Sequence, residues 1–146
     1  MNGSIDDPFA RAVREIEALR KEAAVIIVDM HAEATSEKVA LGYYLDGKVA
    51  AVVGTHTHVP TCDHRVLPKG TAYCTDLGMT GPYDSVIGVE APMIIQRFLT
   101  AMPGRFETAK GDPRLAAVVV DVDEKTGLAR GIERMLLTEA DVAALA

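Results

Sequence analysis

Ala24-Val25-Ile26-Ile27-Val28-Asp29-Met30-His31 and, further on, Val49-Ala50-Ala51-Val52-Val53-Gly54-Thr55-His56-Thr57-His58 decide the fold. Each stretch opens as a continuous apolar run rich in β-branched residues. Such a run, from Ala24 to Val28 and again from Val49 to Val53, predicts a strand buried on both faces, the pattern of a parallel sheet. Between them, Ser36 to Leu45 predicts a helix capped by Thr35 or Ser36, and Asp46-Gly47 predicts a turn. The unit is strand–helix–strand. Its crossover is long enough to join two parallel strands, and such crossovers are right-handed. The expected fold class is α/β.

Upstream, Asp7 is a candidate cap and Pro8 suits the first helical position. Phe9, Val13, Ile16 and Leu19 follow at helical spacing, so a first helix is expected to end near Glu22. Downstream, residues 55–70 read as a polar loop and Thr71 to Thr75 as a short strand. Asp76 to Gly88 is glycine-rich and reads as a loop, and Pro92 to about Thr100 as a helix stopped by Pro103-Gly104. Leu115–Val122 and Leu128–Leu137 predict a β-hairpin turned by residues 123–127, followed by a short alanine-rich helix from Thr138.

The 146 residues suggest one domain, 1–146. Hydrophobic residues make up 49% and charged residues 25%, close to globular averages. There is no apolar run of transmembrane length, and the amino terminus carries Asp6 and Asp7 where a signal peptide has basic and apolar stretches. With 15 basic and 21 acidic residues the formal charge is −6, which argues against a broad nucleic-acid surface but leaves a pocket for one nucleotide open. Cys62 and Cys74 make no disulfide framework and read as free thiols of a cytoplasmic protein.

Three of the four histidines, His31, His56 and His58, follow the carboxyl ends of the two strands. Ligands of open α/β sheets bind at that edge. Neighbouring strands end about 5 Å apart, so imidazoles converge there from both. In an extended segment, His56 and His58 face the same way. Imidazole is the commonest protein ligand for divalent transition metals, so the three form a candidate metal site. A lone histidine at a strand end is ordinarily a hydrogen-bonded structural residue. The H-x-H pair after a buried strand and a glycine is more specific. His64 reads as a solvated loop residue.

Three neutral imidazoles suit one ion with an open position. A two-metal centre needs bridging and terminal oxygen donors as well. The nearby carboxylates are Asp29, Glu33, Asp63 and Asp76. Asp29 and Asp76 are expected to cap strand ends, and Glu33 and Asp63 to be solvated. Thr55, Thr57 and Thr61 either bond metal ligands or satisfy local backbone. The loop from Gly78 to Ser85 matches no phosphate-loop pattern. Cys62 reads as a spectator thiol, and Met30, Met79 and Met93 as packing.

Gly54-Thr55-His56-Thr57-His58 resembles the G-x-H-x-H motif of calcineurin-like metallophosphoesterases. Residues 28–38, Tyr44-Leu45-Asp46-Gly47, residues 53–59 and residues 75–88 narrow the resemblance to the YmdB-like branch, described as 2′,3′-cyclic-nucleotide phosphodiesterases. It runs from Asp7 to about Met135. The resemblance implies an α/β sandwich with a two-metal site at the sheet edge, holding iron or manganese, with zinc a further candidate. By position, His31 and His56 would bind one metal and His58 the other. A metal-activated water would attack the phosphorus of a small phosphodiester or cyclic nucleotide.

The sequence departs from that family in length. Members are about twice as long, and their amino-terminal half carries G-D, G-E-N and G-N-H motifs that supply a metal-binding aspartate, a bridging glutamate, an asparagine ligand and the catalytic histidine. No G-D-x-V-G, G-E-N or G-N-H occurs here, so no catalytic residue is identifiable and the chain reads as the carboxyl-terminal half of a sandwich. Met1 to Phe9 resembles the middle of a family member, so Met1 is expected to be an internal methionine or the chosen start of a shortened chain. The enzyme half stands beside two other readings, a non-catalytic metal-binding or interaction domain and an inactive remnant. A halved sandwich is expected to associate with itself or with its missing half.

Overall fold

The computed structural model describes residues 6–145. The resemblance noted for Met1 to Ile5 lies outside the described residues. Asp7 accepts the amide of Phe9 at 3.0 Å and opens helix α1 (Pro8–Leu19), with Pro8 in its first turn. The helix ends at Leu19, a few residues before the expected Glu22. Strand β1 (Ile27–His31) leads through Ala32–Ala34 into helix α2 (Thr35–Leu45) and then strand β2 (Ala51–Thr55). The predicted strand–helix–strand unit is present, and β1 and β2 pair in parallel from Ile27↔Ala51 to His31↔Thr55. Ala34 occupies the cap position of α2 with no side-chain bond, so neither Thr35 nor Ser36 caps the helix.

Strand β4 (Ala72–Cys74) pairs in parallel with β2, and the two-residue strand β3 (Arg65–Val66) lies antiparallel beyond it. The sheet order is β1-β2-β4-β3. A second, antiparallel sheet runs β5-β6-β7, with β5 (Gly81–Asp84), β6 (Gly111–Asp123) and β7 (Leu128–Thr138). The expected hairpin is thus present and longer than its apolar runs, with a register shift between Asp121 and Val122. Two segments read as loops contain strands, β3 within 55–70 and β5 within 76–88. Both are short, and tertiary pairing rather than local alternation makes them extended. Helix α3 (Ala91–Thr100) and the capped α4 (Glu139–Ala143) complete the chain.

The sheet faces explain the core. Ile16, Leu41, Leu45, Val49, Val52 and Tyr73 pack together where α1 and α2 cover one face. On the other face, Ala51, Ala72 and Ala129 form a small-residue cluster with Val120 and Ile132, where β7 crosses β4 and β3. Small side chains let the two sheets approach closely.

Strand β1 corrects the expectation of a strand buried on both faces. It alternates between exposed and half-buried residues, and Ile27 is 60% exposed. β1 is the edge of its sheet, and the second sheet lies over β4 and β3 at the far side. Val28 and Met30 pack toward the helices, while Ile27, Asp29 and His31 face outward. The run is apolar on both sides although this chain covers only one. No helix among the described residues is long and apolar enough to cross a membrane.

Candidate metal centre

His31 ends β1 and His56 follows β2, so parallel pairing of the two strands sets the imidazoles side by side. His56 Nδ1 lies 3.1 Å from His31 Nε2, and the rings meet edge to face. The outer nitrogens are tied to protein oxygens. Thr55 Oγ1 donates to Asp29 at 2.8 Å, which spends its only hydrogen. His31 Nδ1 therefore donates to Thr55 Oγ1, at 3.0 Å. His56 Nε2 donates to Glu33 at 2.7 Å. In neutral rings so arranged, the two inner nitrogens aim lone pairs at each other. A cation between them, a shared proton or a metal ion, removes that repulsion.

His58 makes a separate bond. Its Nδ1 donates to the Ile87 carbonyl at 3.1 Å, which leaves Nε2 as the lone-pair nitrogen of the neutral ring. Each of the three predicted histidines thus has one nitrogen fixed by a protein acceptor. Metal-binding histidines are oriented in this manner. The structure brings His31 and His56 together. Among the described residues, no group of three His, Cys, Asp or Glu side chains converges on one point. Glu33 approaches His56 from the nitrogen that faces away from His31, which is why this trio does not form one.

The donor set fits part of a divalent metal site. Zinc–nitrogen bonds of about 2.0–2.1 Å place tetrahedral ligands about 3.3 Å apart. The observed inner pair is at 3.1 Å. Expected as a strand-end cap, Asp29 anchors His31 through Thr55; expected as solvated, Glu33 is exposed but bonds His56. Of the threonines, Thr55 touches a candidate ligand, whereas the Thr57 hydroxyl bonds locally to Val59.

The loop carrying His56 and His58 is strained. Both residues have positive φ, 111° and 66°, a region non-glycine residues seldom occupy. Such strain persists only where surrounding contacts over-determine it. The anchor is Asp76, which accepts the amides of Thr57 at 3.0 Å and Gly78 at 2.9 Å. Lys38 Nζ donates to the same carboxylate at 2.8 Å, and both side chains are about 1% exposed or less. Burial pushes the Asp76 pKa up, but the bonds from Lys38, Gly78 and Thr57 outweigh it and hold the carboxyl below its ordinary value. Asp76 is therefore an internal anchor rather than a simple strand-end cap.

Asp63 is likewise not a solvated residue. Burial raises its pKa, and the bonds from Thr75 and Thr61 more than offset this, leaving it lowered. Thr75 donates to it through both hydroxyl and amide, at 2.6 and 3.1 Å. His64 is half-buried, and its Nδ1 is enclosed without a hydrogen-bond partner. Cys62 is exposed and Cys74 buried, both as free thiols.

Lys38 is the residue that sequence reasoning missed. Its signal is positional: Lys38, Leu41 and Leu45 are spaced i, i+3 and i+7 on the buried face of α2. A lysine in that stripe calls for an internal anion.

The family described as YmdB-like protein matches residues 1–135. The chain belongs to that family. It is 54% identical over 135 residues to a Bacillus subtilis protein named 2′,3′-cyclic-nucleotide 2′-phosphodiesterase, covering 92% of this chain and 51% of that protein. A crystal structure from Thermus thermophilus, titled as a hypothetical protein, matches with a TM-score of 0.85 and 46% identity over 94% of this chain and 53% of the other. One of a Mycoplasma pneumoniae phosphatase matches with a TM-score of 0.85 and 38% identity over 99% and 51%. The chain spans about half the length of the relatives it matches.

Proposed function

We propose that the 146 residues form one domain, the carboxyl-terminal half of a metal-dependent phosphodiesterase for cyclic nucleotides or related small phosphodiesters. The observation that carries this is the orientation of three imidazoles at one sheet edge, each with one nitrogen tied to a protein acceptor. His31 and His56 would hold one divalent ion, iron, manganese or zinc, and His58 a second. Such ions stabilise charge on phosphoryl oxygens and acidify bound water. Asp29, through Thr55, and Glu33 hold the rings of His31 and His56 in place. Lys38 and Asp76 hold the loop between His56 and His58. The remaining carboxylate ligands and the proton-transfer group are assigned to the other half of the relatives' length.

Metal binding tests the site directly. Titration of the chain with Mn²⁺ or Co²⁺ should show saturable binding. His31→Ala and His56→Ala should each weaken it by more than the roughly 10–100-fold typical of losing an outer-shell partner. Binding unchanged in both variants overturns the assignment. In a longer family chain carrying this segment, His56→Ala or His58→Ala should abolish metal-dependent phosphodiesterase activity.

The uncovered edge of β1 supports pairing with the other half or with a second copy. Ile27 is exposed there next to unpaired strand backbone. Sizing chromatography at high concentration should show association, and Ile27→Glu should shift the chain toward the monomer. A monomer at all concentrations in the parent chain counts against this pairing.

A further inference from the structure

We propose that the cavity beside His58 is a nucleobase subsite that accepts purines and pyrimidines alike; this rests on the phosphodiesterase reading above. The cavity holds about 350 Å³, within the range of small-molecule clefts, and His58 forms part of its wall. Val59, Met79, Tyr83, Val86 and Ile87 supply most of the rest. A phosphodiester held at His58 places its organic substituent against this wall.

Two further observations point to a ligand. Ile87 has a φ of +47°, a conformation that a β-branched side chain strongly disfavours. In that strained position its carbonyl receives His58 Nδ1–H while the residue stays 52% exposed. Val59, in the wall of the same cavity, is 57% exposed. Strain of this kind concentrates at ligand clamps.

Apart from His58 Nε2, which the reading above assigns to the metal, the side-chain polar groups in the wall are already committed. The Tyr83 hydroxyl donates to the Met79 carbonyl at 3.1 Å. Ser85 Oγ donates to the Pro82 carbonyl and receives the Gly88 amide. Few donors or acceptors remain to read the hydrogen-bonding edge of a base. Apolar and stacking contact therefore dominates, and such contact tolerates every base.

The test uses the metal-free 146-residue chain with ¹³C-methyl methionine, the Met79 signal being assigned by its loss in Met79→Leu. Adenosine and uridine at millimolar concentration should each shift the Met79 methyl saturably, while ribose should leave it in place. Ile87→Gly relieves the positive φ and so keeps the fold, but it should weaken nucleoside binding about tenfold, in line with the aliphatic contact area lost from the wall. An unmoved Met79 methyl with both nucleosides overturns the subsite. A response to one base class alone overturns its indifference to base identity. Because these titrations contain no metal, nucleoside binding that survives a failed Mn²⁺ titration separates this inference from the phosphodiesterase reading.

Discussion

Replacing Lys38 by methionine lowers the stability of the chain by about 3–5 kcal/mol, the range for breaking a buried ion pair by removing one partner. Methionine fills nearly the same volume, so packing around α2 changes little. Asp76 is left as a buried anion whose remaining bonds are the amides of Thr57 and Gly78. For a domain stabilised by roughly 5–15 kcal/mol in all, this is a large fraction. The check is the urea midpoint of Lys38→Met against that of the parent chain. Lys38→Met with Asp76→Asn removes the stranded charge while keeping an acceptor for the amides. It should recover a substantial part of the loss.

The effect depends on pH with a definite sign. The folded-state pKa of Asp76 lies below its ordinary value. Its contribution is therefore full above the unfolded carboxylate value of about 3.9, and it is lost as pH falls through the lower folded value. Asp63, also lowered, behaves in the same sense. The stability gap between the parent and Lys38→Met should be widest near neutrality and narrow below about pH 4. A gap that stays constant from neutral pH into that acid range shows that the Asp76 charge is not its source.

Gly54→Ala is the second large effect. A Cβ at Gly54 would overlap the Thr75 carbonyl oxygen and stand 2.8 Å from Lys38 Cδ. The φ of Gly54 is not positive, so the requirement is space rather than backbone freedom. Backbone cannot rotate away as a side chain can. Overpacking costs about 1–3 kcal/mol and more where neighbours are rigid, so Gly54→Ala should reach or exceed the top of that range. The displacement falls where β2 delivers His56, so affinity for Mn²⁺ should drop as well. Gly81→Ala is the control. Nothing lies within 4 Å of its added Cβ. It should remain within about 0.5 kcal/mol of the parent chain. Equal midpoints for the two variants would sink the close-approach argument.

Much of this was legible from residues alone. The apolar runs at 24–28 and 49–53, separated by a helical stretch, dictate a strand–helix–strand unit because backbone sterics and hydrophobic burial act locally and periodically. The same local logic puts His31 at one strand end and His56 at the next, and parallel pairing makes them neighbours. The hairpin of β6 and β7 is likewise a matter of neighbouring sequence. Short strands such as β3 and β5 were illegible because their partners, not their residues, make them extended.

What the tertiary structure alone decided is which side chains meet across long separations. Lys38 and Asp76 are paired only because α2 packs over the sheet whose last strand leads into Asp76. The left-handed backbone at His56, His58 and Ile87 is a global outcome, held by contacts that no local propensity favours. Exposure of Ile27 follows from the edge position of β1. Sequence sets what each segment prefers by itself. Long-range packing, which depends on the shape of the whole chain, sets which of those preferences are overruled.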